Sequence, residues 1–204
     1  MSPLGFHDAV KAGNVLVLDT RHLLAFDGAP VPGTWTIGGA GRLSIWAGWM
    51  LDPNQPLLLV LESDSTLSEV VTHLARTGFE QFRGYLADGM SRWANAGLPL
   101  PALQQLRVTA AAVESQQGTL TLLDVRAPQD GKKGRAPGAR HIFLADLPAK
   151  RGELSKAKRI AVDCDSGYRP SIAASLLQAG GFDVASIPGS WQAWAACDLQ
   201  VERD

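Results

Sequence analysis

Short apolar runs alternate with amphipathic stretches along the chain. In the second half, the runs at 120–125 and 159–162 are bounded by polar residues, as short buried strands are. Residues 170–179 place apolar side chains at positions 172, 173, 176 and 177, which predicts an amphipathic helix with a proline in its first turn. Two glycines then end that helix, and 182–187 predicts a further strand. This strand, helix, strand order predicts a parallel sheet covered by helices on both faces.

The same pattern occurs twice. Asp19 and Arg21 end the first apolar run, and Asp124 and Arg126 end a matching run 105 positions later. A Pro-Gly pair and a tryptophan recur at similar spacing, at 32–33 and 137–138 and at 93 and 194. A repeat of about 100 residues has the length of one domain, so we predict a duplicated α/β domain. Because prolines interrupt both periodicities near 99 and 101, we place the domains at 1–98 and 107–204, joined by a linker at 99–106.

Composition narrows the function classes. The 204 residues are 46% hydrophobic with a formal net charge of −1, which excludes disordered chains and disfavours a nucleic-acid partner. Residues 1–104 carry 6 basic and 9 acidic side chains, whereas 105–204 carry 13 and 11. We therefore expect any anion to bind in the second half.

The number and spacing of the cysteines and histidines argue against a disulfide framework and against a metal site. Two cysteines are too few for a disulfide framework, and the four histidines show no spacing typical of metal ligands. The first residues lack the pattern of a leader peptide, and the longest aliphatic run, 57–61, is far too short to span a membrane. We expect a cytoplasmic protein with no metal site and no membrane partner.

The segment 164–169 carries the candidate chemistry. It joins a predicted strand to a predicted helix, and such a loop turns its backbone N–H groups inward, where they and the helix dipole favour an anion. Cys164 is therefore the candidate nucleophile, and the Arg169 guanidinium can bind an oxyanion. The alternative for Cys164 is a buried structural cysteine. The candidate substrate-binding residues are Asp165, Ser166, Gly167, Tyr168 and Arg169.

Four motifs together resemble those of the tandem rhodaneses, a sulfurtransferase family built from two α/β copies. They are Leu-Asp-Val-Arg at 123–126, Ala-Pro-Gly-Ala at 136–139, Cys-x-x-Gly-x-Arg at 164–169 and Pro-Gly-Ser-Trp-Gln-Ala-Trp at 188–194. Trp-Ala-Gly-Trp-Met-Leu-Asp-Pro at 46–53 is similar to the first of the paired rhodanese modules of bacterial persulfide dioxygenase fusions, although the dioxygenase domain is absent here. Two departures are Arg135-Ala136, where the family has His-Ile, and the acidic Asp165.

The resemblance implies two rhodanese-like α/β domains, each a parallel sheet with helices on both faces. It also implies transfer of sulfane sulfur through a persulfide on Cys164, from thiosulfate or a low-molecular-weight persulfide to a thiol or cyanide, without a cofactor. A persulfide-producing protein is a further candidate partner. In the first copy, Leu61 aligns with the nucleophile and is followed by Glu62 and Asp64, so that copy is predicted to be inactive.

Two other functions fit the same cysteine. One is a non-catalytic interaction or sulfur-relay module that receives sulfur from a bound protein. The other is a rhodanese-like phosphatase, but that class has five residues between its cysteine and arginine, and this chain has four. Asp124 and Arg126 are predicted to be structural, Cys197 is predicted to be inert, and His141 is given no role.

Overall fold

The apolar runs of the first half form a parallel sheet. The computed structural model describes residues 1–38, 40–165 and 168–203. Contacts divide the chain into two compact units, which we call unit 1 (Met1–Ala102) and unit 2 (Leu103–Asp204). The strands of unit 1 lie in the order β2-β1-β3-β4. They are β1 (Leu16–Asp19), β2 (Trp35–Thr36), β3 (Leu57–Val60) and β4 (Phe82–Tyr85).

Helices connect these strands, as parallel pairing requires. Every residue of the central strands β1 and β3 is buried, which explains their unbroken apolar character. Part of the core gathers around Phe6 and Trp93, whose rings meet edge to face. The helices of unit 1 are α1 (Pro3–Ala12), α2 (Leu23–Gly28), α3 (Leu43–Met50), α4 (Leu67–Ala75) and α5 (Gly89–Asn95).

Unit 2 repeats this arrangement with one more strand. Its parallel sheet has the order β5-β9-β8-β6-β7, so β8 and β6 lie in the interior. The strands are β5 (Gln104–Gln105), β6 (Leu120–Asp124), β7 (Arg140–His141), β8 (Arg159–Asp163) and β9 (Val184–Ser186). The helices are α6 (Val108–Gln116), α7 (Leu147–Lys150), α8 (Tyr168–Ala179) and α9 (Ser190–Ala196). The predicted α/β class with parallel sheets and flanking helices is confirmed.

Two details differ from the sequence-based expectations. The residues predicted as a linker, 99–106, include β5, which pairs with β9 at the edge of the second sheet. Helix α8 is not amphipathic, since residues 170–177 are all buried. A helix that is covered by protein on more than one side also buries its polar positions, so an apolar stripe underestimates its burial.

One tryptophan in each unit makes the same side-chain hydrogen bond to a later backbone carbonyl. The indole Nε1–H of Trp93 donates to the carbonyl oxygen of Pro99, and that of Trp194 donates to Gln200, both at 2.9 Å. In both cases the acceptor lies six residues after the tryptophan, so the repeated tryptophan in the sequence corresponds to the same hydrogen bond in each unit. No helix within the described ranges is both long enough and apolar enough to cross a membrane.

Candidate active site

Cys164 lies at the carboxyl end of the central strand β8. It follows the strand directly, and α8 begins four residues later. The residue is fully buried, and its carbonyl oxygen accepts a hydrogen bond of 2.8 Å from the backbone N–H of Trp191 in α9. Three elements therefore position the cysteine at the edge of the sheet where ligands of parallel α/β sheets bind.

Two charged side chains of the predicted binding loop face the 3₁₀ turn Pro128–Lys133. Arg169 Nη1 lies 3.3 Å from Asp130 Oδ2, and both side chains are about one-fifth exposed. Asp165 Oδ1 lies 3.9 Å from Lys133 Nζ. The guanidinium that was expected to bind an oxyanion is thus paired with a carboxylate of the protein.

The other predicted loop residues are less informative. Tyr168 is the first residue of α8 and is half-buried. Ser166 and Gly167 lie outside the described residues. The predicted backbone cradle around Cys164 therefore stays a prediction.

A buried ion pair lies beside β8. Asp124 at the end of β6 is the register partner of Asp163, and its carboxylate accepts from Arg126 Nε at 2.9 Å and Nη2 at 2.7 Å. Arg126 Nη2 also donates to the carbonyl oxygen of Gly134 at 2.8 Å, and its guanidinium lies 4.7 Å from the ring centroid of Trp191. Burial lowers the pKa of Arg126, but its hydrogen bonds to Asp124 and that residue's charge outweigh the effect and raise it.

The same pair occurs in unit 1. Arg21 Nη2 donates to Asp19 at 2.6 Å and to the carbonyl oxygen of Ala29 at 3.0 Å. Burial raises the pKa of Asp19, against the opposing hydrogen bonds and charge of Arg21. Because the pair recurs in both units, its geometry belongs to the fold, as the sequence predicted.

Asp163 is a site residue that the sequence analysis missed. It is the last residue of β8 and is buried, and its Oδ1 atom has no hydrogen-bond partner among the described residues. Burial raises the pKa of its carboxyl to about 7, the charge of Asp124 adds to the rise, and the charge of Arg126 opposes it. The sequence signal that could have identified Asp163 was an acidic residue directly after the apolar run 160–162.

Unit 1 has an acidic cleft at the corresponding position. Strand pairing aligns Asp19 with Val60 in the first sheet and Asp124 with Asp163 in the second, so Leu61 occupies the place of Cys164. Leu61 is buried beneath a cleft of about 510 Å³. The polar lining of this cleft includes Arg21, Glu62, Ser63, Asp64, Asp88 and Ser91.

The remaining candidates are Cys197 and His141. Cys197 is exposed at the end of α9, and it is a free cysteine like Cys164. His141 is exposed in β7, and its Nε2 lies 2.8 Å from the carbonyl oxygen of Arg126. In the part of the chain that the structure describes, no three His, Cys, Asp or Glu side chains gather as metal ligands.

Comparisons with known proteins give the family. The model of the rhodanese-like domain matches residues 109–197. YtwF of Bacillus subtilis, a candidate sulfurtransferase, is 35% identical over 75 residues, which cover 37% of this chain and 73% of YtwF. YrkF of the same organism, a candidate sulfur carrier protein, is 29% identical over 112 residues, or 54% of this chain and 60% of YrkF.

Among solved structures, a rhodanese-related protein of Thermoplasma volcanium is 24% identical, with a TM-score of 0.47 over 50% of this chain and 99% of that protein. The matched segment 109–197 contains β6, β8, Cys164 and all of α9. The chain belongs to the rhodanese family.

Proposed function

We propose that the chain is a sulfurtransferase that carries sulfane sulfur as a persulfide on Cys164. The observation that carries the proposal is the place of this cysteine, at the end of the central strand β8 and before α8, within the segment that matches the rhodanese-like domain. In this proposal residues 107–204, together with the edge strand β5, form the catalytic domain, residues 1–98 form an inactive one, and the part of 99–106 before β5 is the linker. The sulfurtransferase-like relative YtwF supports the same reaction class.

The proposed reaction has two displacements on sulfur. The Cys164 thiolate attacks the outer sulfur of thiosulfate, a new S–S bond forms, and sulfite leaves with the electron pair of the broken S–S bond. A low-molecular-weight persulfide would react in the same way and release a thiolate. An acceptor thiolate or cyanide then attacks the outer sulfur of the Cys164 persulfide, and the cysteine thiolate leaves. Each step is a substitution at sulfur, so neither needs a cofactor.

Arg169 is proposed to bind the anionic part of the donor. In the structure this guanidinium contacts Asp130, and an incoming sulfonate or carboxylate would replace that carboxylate. The exchange retains one charge-assisted contact while moving the 3₁₀ turn Pro128–Lys133 away from the loop. Because Cys164 is fully buried, some such opening is needed before a donor reaches its sulfur.

Unit 1 is proposed to be catalytically inactive. An aliphatic side chain, Leu61, stands where the nucleophile would be, and the carboxylates of Glu62 and Asp64 line the cleft above it. Carboxylates repel an anionic donor and disfavour a thiolate, so the cleft opposes this chemistry in two ways.

A sulfur-relay function is the second candidate, and the sulfur-carrier-like relative YrkF favours it. A relay module would use the same cysteine but would accept sulfur only from a bound protein. The phosphatase alternative has no comparable support, because four residues separate Cys164 from Arg169 in the sequence, one fewer than that class has.

Turnover with small molecules separates the two functions. We expect the wild-type protein to form thiocyanate from thiosulfate and cyanide over many cycles, and the Cys164→Ser variant to form none. Release of thiocyanate by the wild type at no more than one equivalent per protein would support the relay function. Equal turnover by wild type and Cys164→Ser would exclude both.

A further inference from the structure

A cavity opens in unit 2 between α6, the start of β6 and the segment that follows α9. Its volume is about 290 Å³, close to the lower limit of roughly 300 Å³ for small-molecule sites. Trp194, Leu120 and Leu199 line it with apolar atoms, and Lys158 and Gln200 are among its polar lining residues. Leu120 begins β6 and Lys158 directly precedes β8, so the cavity lies at the amino ends of these strands, opposite the end that carries the proposed nucleophile.

Two large side chains of unit 1 are replaced by alanine at the aligned positions of unit 2. The offset of 105 residues between the two Asp-Arg pairs also aligns the first helix of each unit, and a left-handed glycine follows both helices, with φ of 73° and 72°. At this offset Phe6 aligns with Ala111. His7 likewise aligns with Ala112, which lines the cavity. In unit 1 the rings of Phe6 and His7 pack against Trp93, with centroid distances of 6.2 and 5.5 Å. The cavity of unit 2 therefore occupies space that aromatic rings fill in unit 1.

The polar side of the cavity carries a cation that the fold does not use. Lys158 is exposed, and it forms no ion pair or hydrogen bond with any residue that the structure describes. Its ammonium group lies over Gly118, where an added methyl group would be 3.9 Å from Nζ. The side-chain amides of Gln116 and Gln200 are likewise without a hydrogen-bond partner within the described ranges, so further donors are available. Strand pairing aligns Lys158 with the neutral Gln55 of unit 1.

We propose that this cavity binds a small molecule with a flat apolar body and a carboxylate, the body against Trp194 and the carboxylate on Lys158. An indole wall suits an aromatic ring, and an ammonium group with nearby amide donors suits a carboxylate. The described lining residues include no acid, and the carboxylate of Glu202 at the edge already accepts a hydrogen bond of 3.2 Å from the backbone N–H of Gly138. The site is separate from the proposed sulfur transfer, because it lies at the opposite ends of the strands.

The two aligned tryptophans provide a reporter and an internal control. The indole N–H of Trp194 donates to the carbonyl oxygen of Gln200, which lines the cavity, and the indole N–H of Trp93 makes the same bond in unit 1. Both N–H resonances are followed by NMR in the isotope-labelled full chain after sequence-specific assignment. Titration with 2-naphthoate should shift the Trp194 resonance saturably, with a Kd of about 1 mM or lower, and should leave the Trp93 resonance in place.

Unit 1 supplies the substitutions that test the cation and the empty space. Lys158→Gln introduces the residue aligned in unit 1 and should raise the Kd for 2-naphthoate by about fivefold, because a charge-assisted contact is lost. Lys150→Gln is the matched control, since Lys150 is an exposed lysine of the same unit that pairs with Asp146 on the surface, and its Kd should stay within about 1.5-fold of the wild type. Ala112→His places the ring of unit 1 in the cavity and should abolish the shift. The amine 2-naphthylmethylamine has the same body with the opposite charge and should bind at least about tenfold more weakly than 2-naphthoate.

Three results would overturn the inference. The first is a Trp194 resonance that shows no saturable shift in the folded wild-type protein up to about 10 mM 2-naphthoate. The second is equal affinity for the carboxylate and the amine, and the third is an unchanged Kd in Lys158→Gln. Because Lys158 is exposed, this variant keeps the test decisive even where Ala112→His fails to fold.

Discussion

Replacing Asp163 should remove a pH dependence of stability from unit 2. The carboxyl has a pKa of about 7 in the folded protein against 3.8 ordinarily, so between these values the folded state holds a proton that the unfolded state has lost. Stability from this difference is fully present below about pH 4 and is lost as the pH rises through 7. Asp163→Asn has no such proton, and its stability lacks this decline.

The two pKa values set the size of the effect. A difference of about three units corresponds to about 4 kcal/mol over the full range, at about 1.4 kcal/mol per unit. Over pH 5 to 8, where both proteins are convenient to handle, the wild type should lose roughly 2 to 3 kcal/mol of unfolding free energy relative to Asp163→Asn. The group is almost fully buried, so solvent screens little of this change.

Urea unfolding at pH 5 and pH 8 measures this loss. Ala111 of α6 is fully buried, so in an Ala111→Cys, Cys164→Ser, Cys197→Ser background a short pulse of a methanethiosulfonate reagent labels only molecules in which unit 2 has opened. The labelled fraction gives the unfolding free energy at each urea concentration. Parallel changes in wild type and Asp163→Asn between the two pH values would refute the reasoning, because they would show that the buried carboxyl does not hold an extra proton.

Three further predictions concern the loop and the other thiols. Arg169→Ala should raise the KM for thiosulfate by about tenfold, because a charge-assisted contact with the donor is lost. Asp130→Ala should lower the same KM by about threefold, because it frees the Arg169 guanidinium. Equal increases of the KM for both variants in steady-state assays would contradict donor binding by Arg169. Cys197→Ser should retain thiocyanate formation within about twofold, since Cys197 is exposed and lies after α9; a loss as large as that of Cys164→Ser would indicate a two-thiol mechanism. Leu61→Cys combined with Cys164→Ser and Cys197→Ser should gain no sulfur from thiosulfate by intact mass, because carboxylates line that cleft; sulfur on the grafted thiol would show that unit 1 is chemically competent.

The local sequence pattern was sufficient to predict the features that occur in both units. The spacing of Asp19 and Arg21 and its recurrence at Asp124 and Arg126 predicted a shared structural pair, and both pairs form with the same bond to a carbonyl eight residues after the arginine. The apolar runs also predicted the buried strands, because strands that are buried on both faces are continuously apolar.

Features that depend on distant residues were not predictable. Asp130 lies 39 positions before its partner Arg169, and no periodicity relates them. The burial of α8 on all sides depends on the layers around it rather than on its own pattern. Asp163 was overlooked because an acid at the end of a strand is ordinary in a sequence, and only the lack of a partner for Oδ1 among the residues that the structure describes makes it unusual.

Mass analysis of the loaded protein shows whether Cys164 carries the transferred sulfur. The wild-type chain is incubated with thiosulfate, freed of excess reagent, and analysed intact and after proteolysis under non-reducing conditions. We expect a gain of one sulfur atom, located on the peptide that contains Cys164, and its removal by cyanide. Sulfur located on the Cys197 peptide, or no gain in mass under conditions in which thiocyanate is formed, would contradict it.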